Sequence, residues 1–129
     1  MKTAAAAFMF LALAGCAGRG ALDERETNAL ERQLAERTAG EPRRCVPAIQ
    51  NVSLNAVDNR TIVYDTPGTL YVSRLRSDCP GLRPDSTIAI ESYGDQYCAN
   101  DRIRAVEPGN GIPGPICLLG EFTPYRSRR

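Results

Sequence analysis

Carboxylates are the main side chains this sequence offers for acid–base chemistry, because it contains no histidine and its one lysine is Lys2. A Ser-His-Asp triad, a Cys-His pair, a Ser-Lys dyad or a Schiff base each needs an imidazole or an amine, so all are excluded beyond Lys2. Glycoside hydrolysis asks only for two acids, about 5 Å or about 6.5 to 9.5 Å apart according to stereochemistry. The candidates are Asp58, Asp65, Asp78, Asp85, Glu91, Asp95, Asp101, Glu107 and Glu121. Asp58, Asp78, Asp85, Asp95 and Asp101 fall in turns or at strand boundaries, where a carboxylate stabilises its own backbone, and that role accounts for them without catalysis. Asp95 and Asp101 could offer oxygens to calcium, but no D-x-D-x-D-G loop is present. The expectation is a protein that is not an enzyme and holds no metal or cofactor, with a carboxylate-dependent hydrolase as the third-ranked reading.

Cysteine is the other reactive type, and there are five. The first, Cys16, stands at the end of an export-like segment. Met1-Lys2-Thr3 supplies a positive start, and Ala4 to Ala14 is an unbroken apolar run. That run is shorter than the roughly 20 residues a membrane-spanning helix needs, but it suits the apolar region of a signal peptide. Leu13-Ala14-Gly15-Cys16 then resembles the bacterial lipobox, in which the cysteine sulfur is diacylated and the signal is cut just before it. Lipid chains contribute ~0.8 kcal/mol per buried CH2, so acylated Cys16 would hold the protein on a membrane durably. Ala17 stands where lipoproteins retained at the inner membrane carry aspartate, which points to the outer membrane, facing the periplasm.

Removing Cys16 leaves Cys45, Cys79, Cys98 and Cys117, an even number that can pair completely in an oxidising compartment. Zinc is the rival use of four cysteines, but no C-x-x-C pair is present. Sixteen Lys plus Arg against 15 Asp plus Glu give a net charge of +1, which excludes nucleic-acid binding through a strongly basic surface.

Around these residues the chain divides into a signal peptide (1–15), a tether with a spacer helix (16–44) and a disulfide-stapled β domain (45–129). Leu22 to Arg37 has helix-forming composition with a thin apolar stripe of Leu22, Ala29, Leu30 and Leu34, which reads as a solvated helix ended by Gly40 and Pro42. Beyond Cys45, β-type runs alternate with turn residues. Val52, Leu54 and Ala56 alternate with polar neighbours, and Asp58-Asn59 separates that run from Thr61-Ile62-Val63-Tyr64, so the two should form a hairpin. Thr66-Pro67-Gly68-Thr69 fits a type II turn leading into Leu70-Tyr71-Val72-Ser73. Thr87 to Tyr93, then Tyr97 to Val106 with a break at Asn100-Asp101, and Ile116 to Phe122 complete about six strands. The fold class is mainly β, a small antiparallel barrel or sandwich.

Cys45, Asp58-Asn59-Arg60-Thr61, Tyr71, Leu75, Cys79-Pro80-Gly81-Leu82, Ile88, Cys98, Asp101, Ile103 and Cys117 together resemble a family of small exported bacterial proteins, a domain of unknown function. The resemblance implies a disulfide-bearing β domain and assigns no chemistry.

Strand geometry ranks the disulfide pairings. Cys98 and Cys117 both lie near strand starts, which an antiparallel hairpin puts at opposite ends, so neighbour pairing is disfavoured. The nested scheme, Cys45 with Cys117 and Cys79 with Cys98, would tie the first strand of the body to the last and help close a barrel, and is preferred over the interleaved pairing, Cys45 with Cys98 and Cys79 with Cys117.

Partners follow from the surface. The five tyrosines, Tyr64, Tyr71, Tyr93, Tyr97 and Tyr125, could stack on sugars. Arg74, Arg76 and Arg83 cluster, and Arg126, Arg128 and Arg129 end the chain, so anionic headgroups or envelope polysaccharide are conceivable ligands, although a solvated face explains them more simply. The expected function is that of a lipid-anchored envelope protein acting as a structural or interaction module, its membrane contact through Cys16 and its partner an envelope protein or glycan. A small-ligand or glycan-binding module is the alternative.

Overall fold

The computed structural model describes residues 18–128; the export-like segment and the Leu13-Ala14-Gly15-Cys16 motif lie outside them. The described chain is mainly β with one helix, as its alternating runs predict. In chain order the elements are α1 (Gly18–Ala35), β1 (Arg37–Ala39), β2 (Cys45–Pro47), β3 (Leu54–Ala56), β4 (Thr61–Thr66), β5 (Thr69–Arg74), β6 (Thr87–Glu91), β7 (Gln96–Cys98), β8 (Arg102–Val106), β9 (Cys117–Leu118) and β10 (Phe122–Ser127).

Five strands form one sheet in the order β1-β10-β5-β4-β3, while β6-β8-β9 and β2-β7 form two smaller sheets, and every pairing is antiparallel. Among the described residues β1 and β3 remain the unjoined edges of the large sheet, so the barrel alternative is not realised. The predicted hairpins are present: Leu54 faces Tyr64 across β3 and β4, and Thr66 faces Thr69 across the β4–β5 turn, where Gly68 takes a φ of 83°. That left-handed φ at the third turn position is what a type II turn demands of glycine.

Alternation along β4 and β5 sends side chains to two separate cores. Ile62, Tyr64 and Tyr71 face inward, packing with Val46, Ile103, Leu119 and Phe122 from the rest of the body. Val63, Leu70 and Val72 face outward, where Leu30 and Leu34 of α1 cover them together with Tyr125. Leu30 is only 7% exposed, so α1 is docked on the sheet and does not behave as the solvated spacer its thin stripe suggests. Its Thr27 hydroxyl also donates to the Asp58 carboxylate at 3.4 Å, fastening the helix to the β3–β4 turn.

The β body likewise begins before Cys45. β1 pairs with β10, and Arg43 and Phe122 exchange backbone hydrogen bonds, so residues 37–44 belong to the large sheet.

The disulfides correct the nested scheme, for Cys45 is bonded to Cys98 and Cys79 to Cys117, with Cα separations of 4.0 and 5.8 Å. The reason is that the run from Tyr97 to Val106 is two strands. Asn100 adopts a φ of 73° and the Asp101 carboxylate accepts the Cys98 amide at 2.8 Å, turning the chain between β7 and β8. β7 is thereby free to pair with β2, which puts Cys98 directly opposite Cys45. Ala48 and Ala99 donate to Asp95 and Arg44 on either side, so the two cysteines fall at a position where the ladder makes no hydrogen bond and side chains approach most closely. β8 then takes β9 as its neighbour, with Ile103 opposite Cys117.

Candidate functional site

Three arginines converge on one depression of about 460 Å³ on the outer face of β5 and β10, lined by Arg44, Arg74 and Arg76 with Glu121 on the same wall. The volume is within the usual range for small-molecule sites, about 300 to 1,000 Å³. Beneath the charges the wall is partly apolar, with Pro42, Ala99 and Tyr125 among its lining residues. Tyr125 is half-buried and packs with Leu30, Leu70 and Val72, whereas the Leu119 side chain is fully buried in the inward core.

Each arginine is held by a feature the sequence carries. Arg74 stands opposite Thr61 in the β4–β5 ladder, and its guanidinium donates to the Thr61 hydroxyl at 3.0 Å. Arg44 precedes the disulfide-bonded Cys45, and its carbonyl accepts the Ala99 amide at 2.6 Å.

Arg76 depends on the Asp58-Asn59-Arg60-Thr61 turn. The Asp58 carboxylate accepts the Arg60 amide at 2.7 Å, closing the turn. The Arg60 guanidinium then donates to the carbonyls of Leu75 and Arg76, both at 3.1 Å. Two amides return the grip, Leu75 to the carbonyl of Arg60 and Cys79 to that of Asn59, each at 2.8 Å. A planar guanidinium suits this two-carbonyl clamp, since its donors lie in a rigid fork. The motif that carried the family resemblance thus works structurally, fixing residues 75–79 and with them the Cys79 disulfide.

Gly120 completes the floor. Its amide and carbonyl both bond the buried Ser73 hydroxyl, at 3.1 and 3.0 Å, which draws residues 119–121 close against β5.

Among the described residues, the ion pairs join Arg60 to Asp78, Arg83 to Asp85 and Arg102 to Glu91. None of them neutralises Arg44, Arg74 or Arg76. The depression therefore carries three guanidinium charges against the single carboxylate of Glu121, an arrangement suited to oxyanions, which accept paired N–H bonds from guanidinium.

The sequence-level arginine cluster is brought together only in part. Arg74 and Arg76 share the depression, whereas Arg83 faces Asp85 at 3.2 Å elsewhere, and the Arg126 guanidinium donates to the Thr69 hydroxyl at 3.4 Å. Arg44 was missing from that cluster. Its signal was its place beside Cys45, usable only with the Cys45–Cys98 pairing in hand.

The tyrosines do not assemble a stacking platform. Tyr64 is fully buried, accepting the Ile49 amide at 2.7 Å and donating to the Pro47 carbonyl at 3.1 Å, and its ring packs against Tyr71 and Tyr97 with centroids 6.1 and 5.4 Å away. Tyr93 is 89% exposed, and Tyr125 alone of the five lines the arginine depression.

The acids that line depressions stand apart from one another. Glu121, Glu41 and Glu107 line three different surface depressions, while Asp58 and Asp101 serve turns as their positions suggested. Asp23 of α1 lies near enough to Asp58 and Asp85 to feel their negative charge. Burial foremost, then those two negative charges, push its carboxyl above the ordinary range, with Arg83 opposing. Among the described residues no three cysteine, aspartate or glutamate side chains are grouped to hold a metal ion.

No curated protein and no solved structure matches the chain. Residues 1–128 match a family of unknown function, DUF6491, and the chain belongs to that family.

Proposed function

We propose that the protein is a lipid-anchored component of the bacterial envelope whose disulfide-stapled β body works by binding rather than by catalysis. The observation that carries the anchor is Leu13-Ala14-Gly15-Cys16 at the end of an unbroken apolar run. Two disulfides among the remaining four cysteines agree with it, since such bonds persist outside the cytoplasm. α1 begins at Gly18, so only Ala17 separates the proposed anchor from a helix packed on the sheet, and the body would be held close to the bilayer, facing the periplasm from the outer membrane.

Within this reading the body is an interaction or structural module. A small-ligand or glycan-binding role has a specific observation in its favour, the arginine-lined depression between Arg44, Arg74 and Arg76. Fractionation of cells carrying Cys16→Ser tests the anchor: the variant should leave the membrane fraction, and undiminished partition with membranes would defeat the proposal. Crosslinking in intact envelopes separates the two roles of the body, since a reproducible protein partner favours the module and enrichment of glycan or lipid alone favours the ligand.

A further inference from the structure

We propose that the Arg44–Arg74–Arg76 depression binds a phosphate monoester carried on a sugar, a ligand class that sharpens the binding role described above and rests on it. Charge selects the anion. Three guanidiniums and one carboxylate leave the wall with two positive charges in excess, and a phosphate monoester carries about −1.5 to −2 at neutral pH where a sugar carboxylate carries one. Guanidinium geometry agrees, because the planar fork bonds two phosphate oxygens at once.

The remainder of the ligand follows from the floor. Pro42, Ala99 and the half-buried Tyr125 lie in the same wall, and an apolar face with an aromatic edge suits the carbon skeleton of a pyranose better than a bare inorganic ion. Glu121 stands beside the arginines, where a carboxylate can accept a sugar hydroxyl while holding the arginines apart from a second anion. Arg74 is already oriented by Thr61 and residues 75–76 by Arg60, so part of the ordering cost of binding is met before the ligand arrives.

Calorimetric titration of the full-length native protein with glucose 1-phosphate, inorganic phosphate, glucuronate and glucose tests the assignment. Glucose 1-phosphate should bind, glucose should not, and inorganic phosphate and glucuronate should each bind about tenfold more weakly, the first for want of the sugar contacts and the second for want of charge. Arg44→Gln and Arg76→Gln should each weaken glucose 1-phosphate by about fivefold, a discounted figure for exposed cations. Neither side chain makes a hydrogen bond among the described residues, so both variants should fold. Glu121→Gln should leave the charge term stronger and the sugar contact weaker, narrowing the gap between glucose 1-phosphate and inorganic phosphate. Micelles carrying a phosphorylated glycolipid add the membrane-borne source: competition with glucose 1-phosphate supports the same site reading that chemistry at a bilayer, and binding of the free sugar phosphate without competition supports a soluble ligand. Failure of glucose 1-phosphate to bind, affinity unaltered by both arginine variants, or equal affinity for inorganic phosphate or glucuronate would overturn the proposal. None of these outcomes depends on the state of Cys16, so the site can fail while the anchor stands.

Discussion

A methyl group added at Gly120 would collide with the backbone carbonyl of Arg74, an atom that cannot swing aside as a flexible side chain does. Gly120→Ala should therefore cost about 2 to 3 kcal/mol in urea unfolding, as overpacking does, whereas Gly20→Ala on α1, with nothing within 4 Å of the added carbon, should stabilise by up to about 1 kcal/mol, since alanine loses less freedom in a helix. Equal effects would mean that residues 119–121 are not pressed against β5. Tyr64 offers a second test at this scale. Tyr64→Phe keeps the ring contacts but strips the partner from the Ile49 amide and the Pro47 carbonyl, for an expected loss of about 1 to 2 kcal/mol. Asp23 gives a test with a sign. Its carboxyl is held above the ordinary value of 3.8, so the folded state favours the protonated form, and stability present in acid is lost as pH rises through the raised value. Asp23→Asn should match the parent in acid and exceed it at neutral pH, as thermal unfolding across that range would show; a variant less stable at neutral pH would contradict the placement of α1 beside Asp58 and Asp85.

α1 is the element whose role changes most between sequence and structure. Leu30→Ala should cost about 2 kcal/mol and raise amide exchange in the helix, the figure for truncating a largely buried leucine, while an unchanged exchange profile would return α1 to a free spacer. The hairpin from β3 to β5 was legible, because Asp58-Asn59 and Pro67-Gly68 are turn signals with a mechanism and the runs between them alternate. β1 and β2 were not, being three residues each and stabilised only by their partners β10 and β7. β10 was hidden by Pro124, which ordinarily argues against an interior strand. Here the Pro124 carbonyl accepts the Gly40 amide at 2.7 Å, and the proline's missing donor falls where β1 ends at Ala39. The register then shifts by one residue before Arg43 meets Phe122, a local bulge that absorbs the lost bond. Missing β2 is also what misdirected the disulfides, since the nested scheme had no partner strand to offer Cys98. Non-reducing peptide mapping should recover Cys45 joined to Cys98 and Cys79 joined to Cys117. Replacing Cys45 and Cys98 together by alanine should cost about 2 to 4 kcal/mol, and a peptide joining Cys45 to Cys117 would contradict the β2–β7 ladder.

As a whole the described molecule is a large sheet covered on one face by α1 and on the other by two small sheets, with an arginine-lined hollow on the helix side. Sequence alone reached half of that hollow. Arg74 and Arg76 are close in the chain and were visible as a charge cluster, but Arg44 arrives through long-range pairing, of Arg43 with Phe122 and of its own carbonyl with Ala99, and Arg83 is drawn off by Asp85. Surface charge clusters in sequence say nothing about which strand edge will carry them, and long-range pairing decides. The proposed lipid anchor bears on every scale, because it would fix which face of this body meets a bilayer and which ligands it encounters. Intact-mass spectrometry of the protein extracted from its native cells tests it most directly. The expected chain begins at Cys16 and carries two or three acyl chains; a chain that retains residues 1–15, or one that bears an unmodified Cys16 thiol, would contradict the anchor.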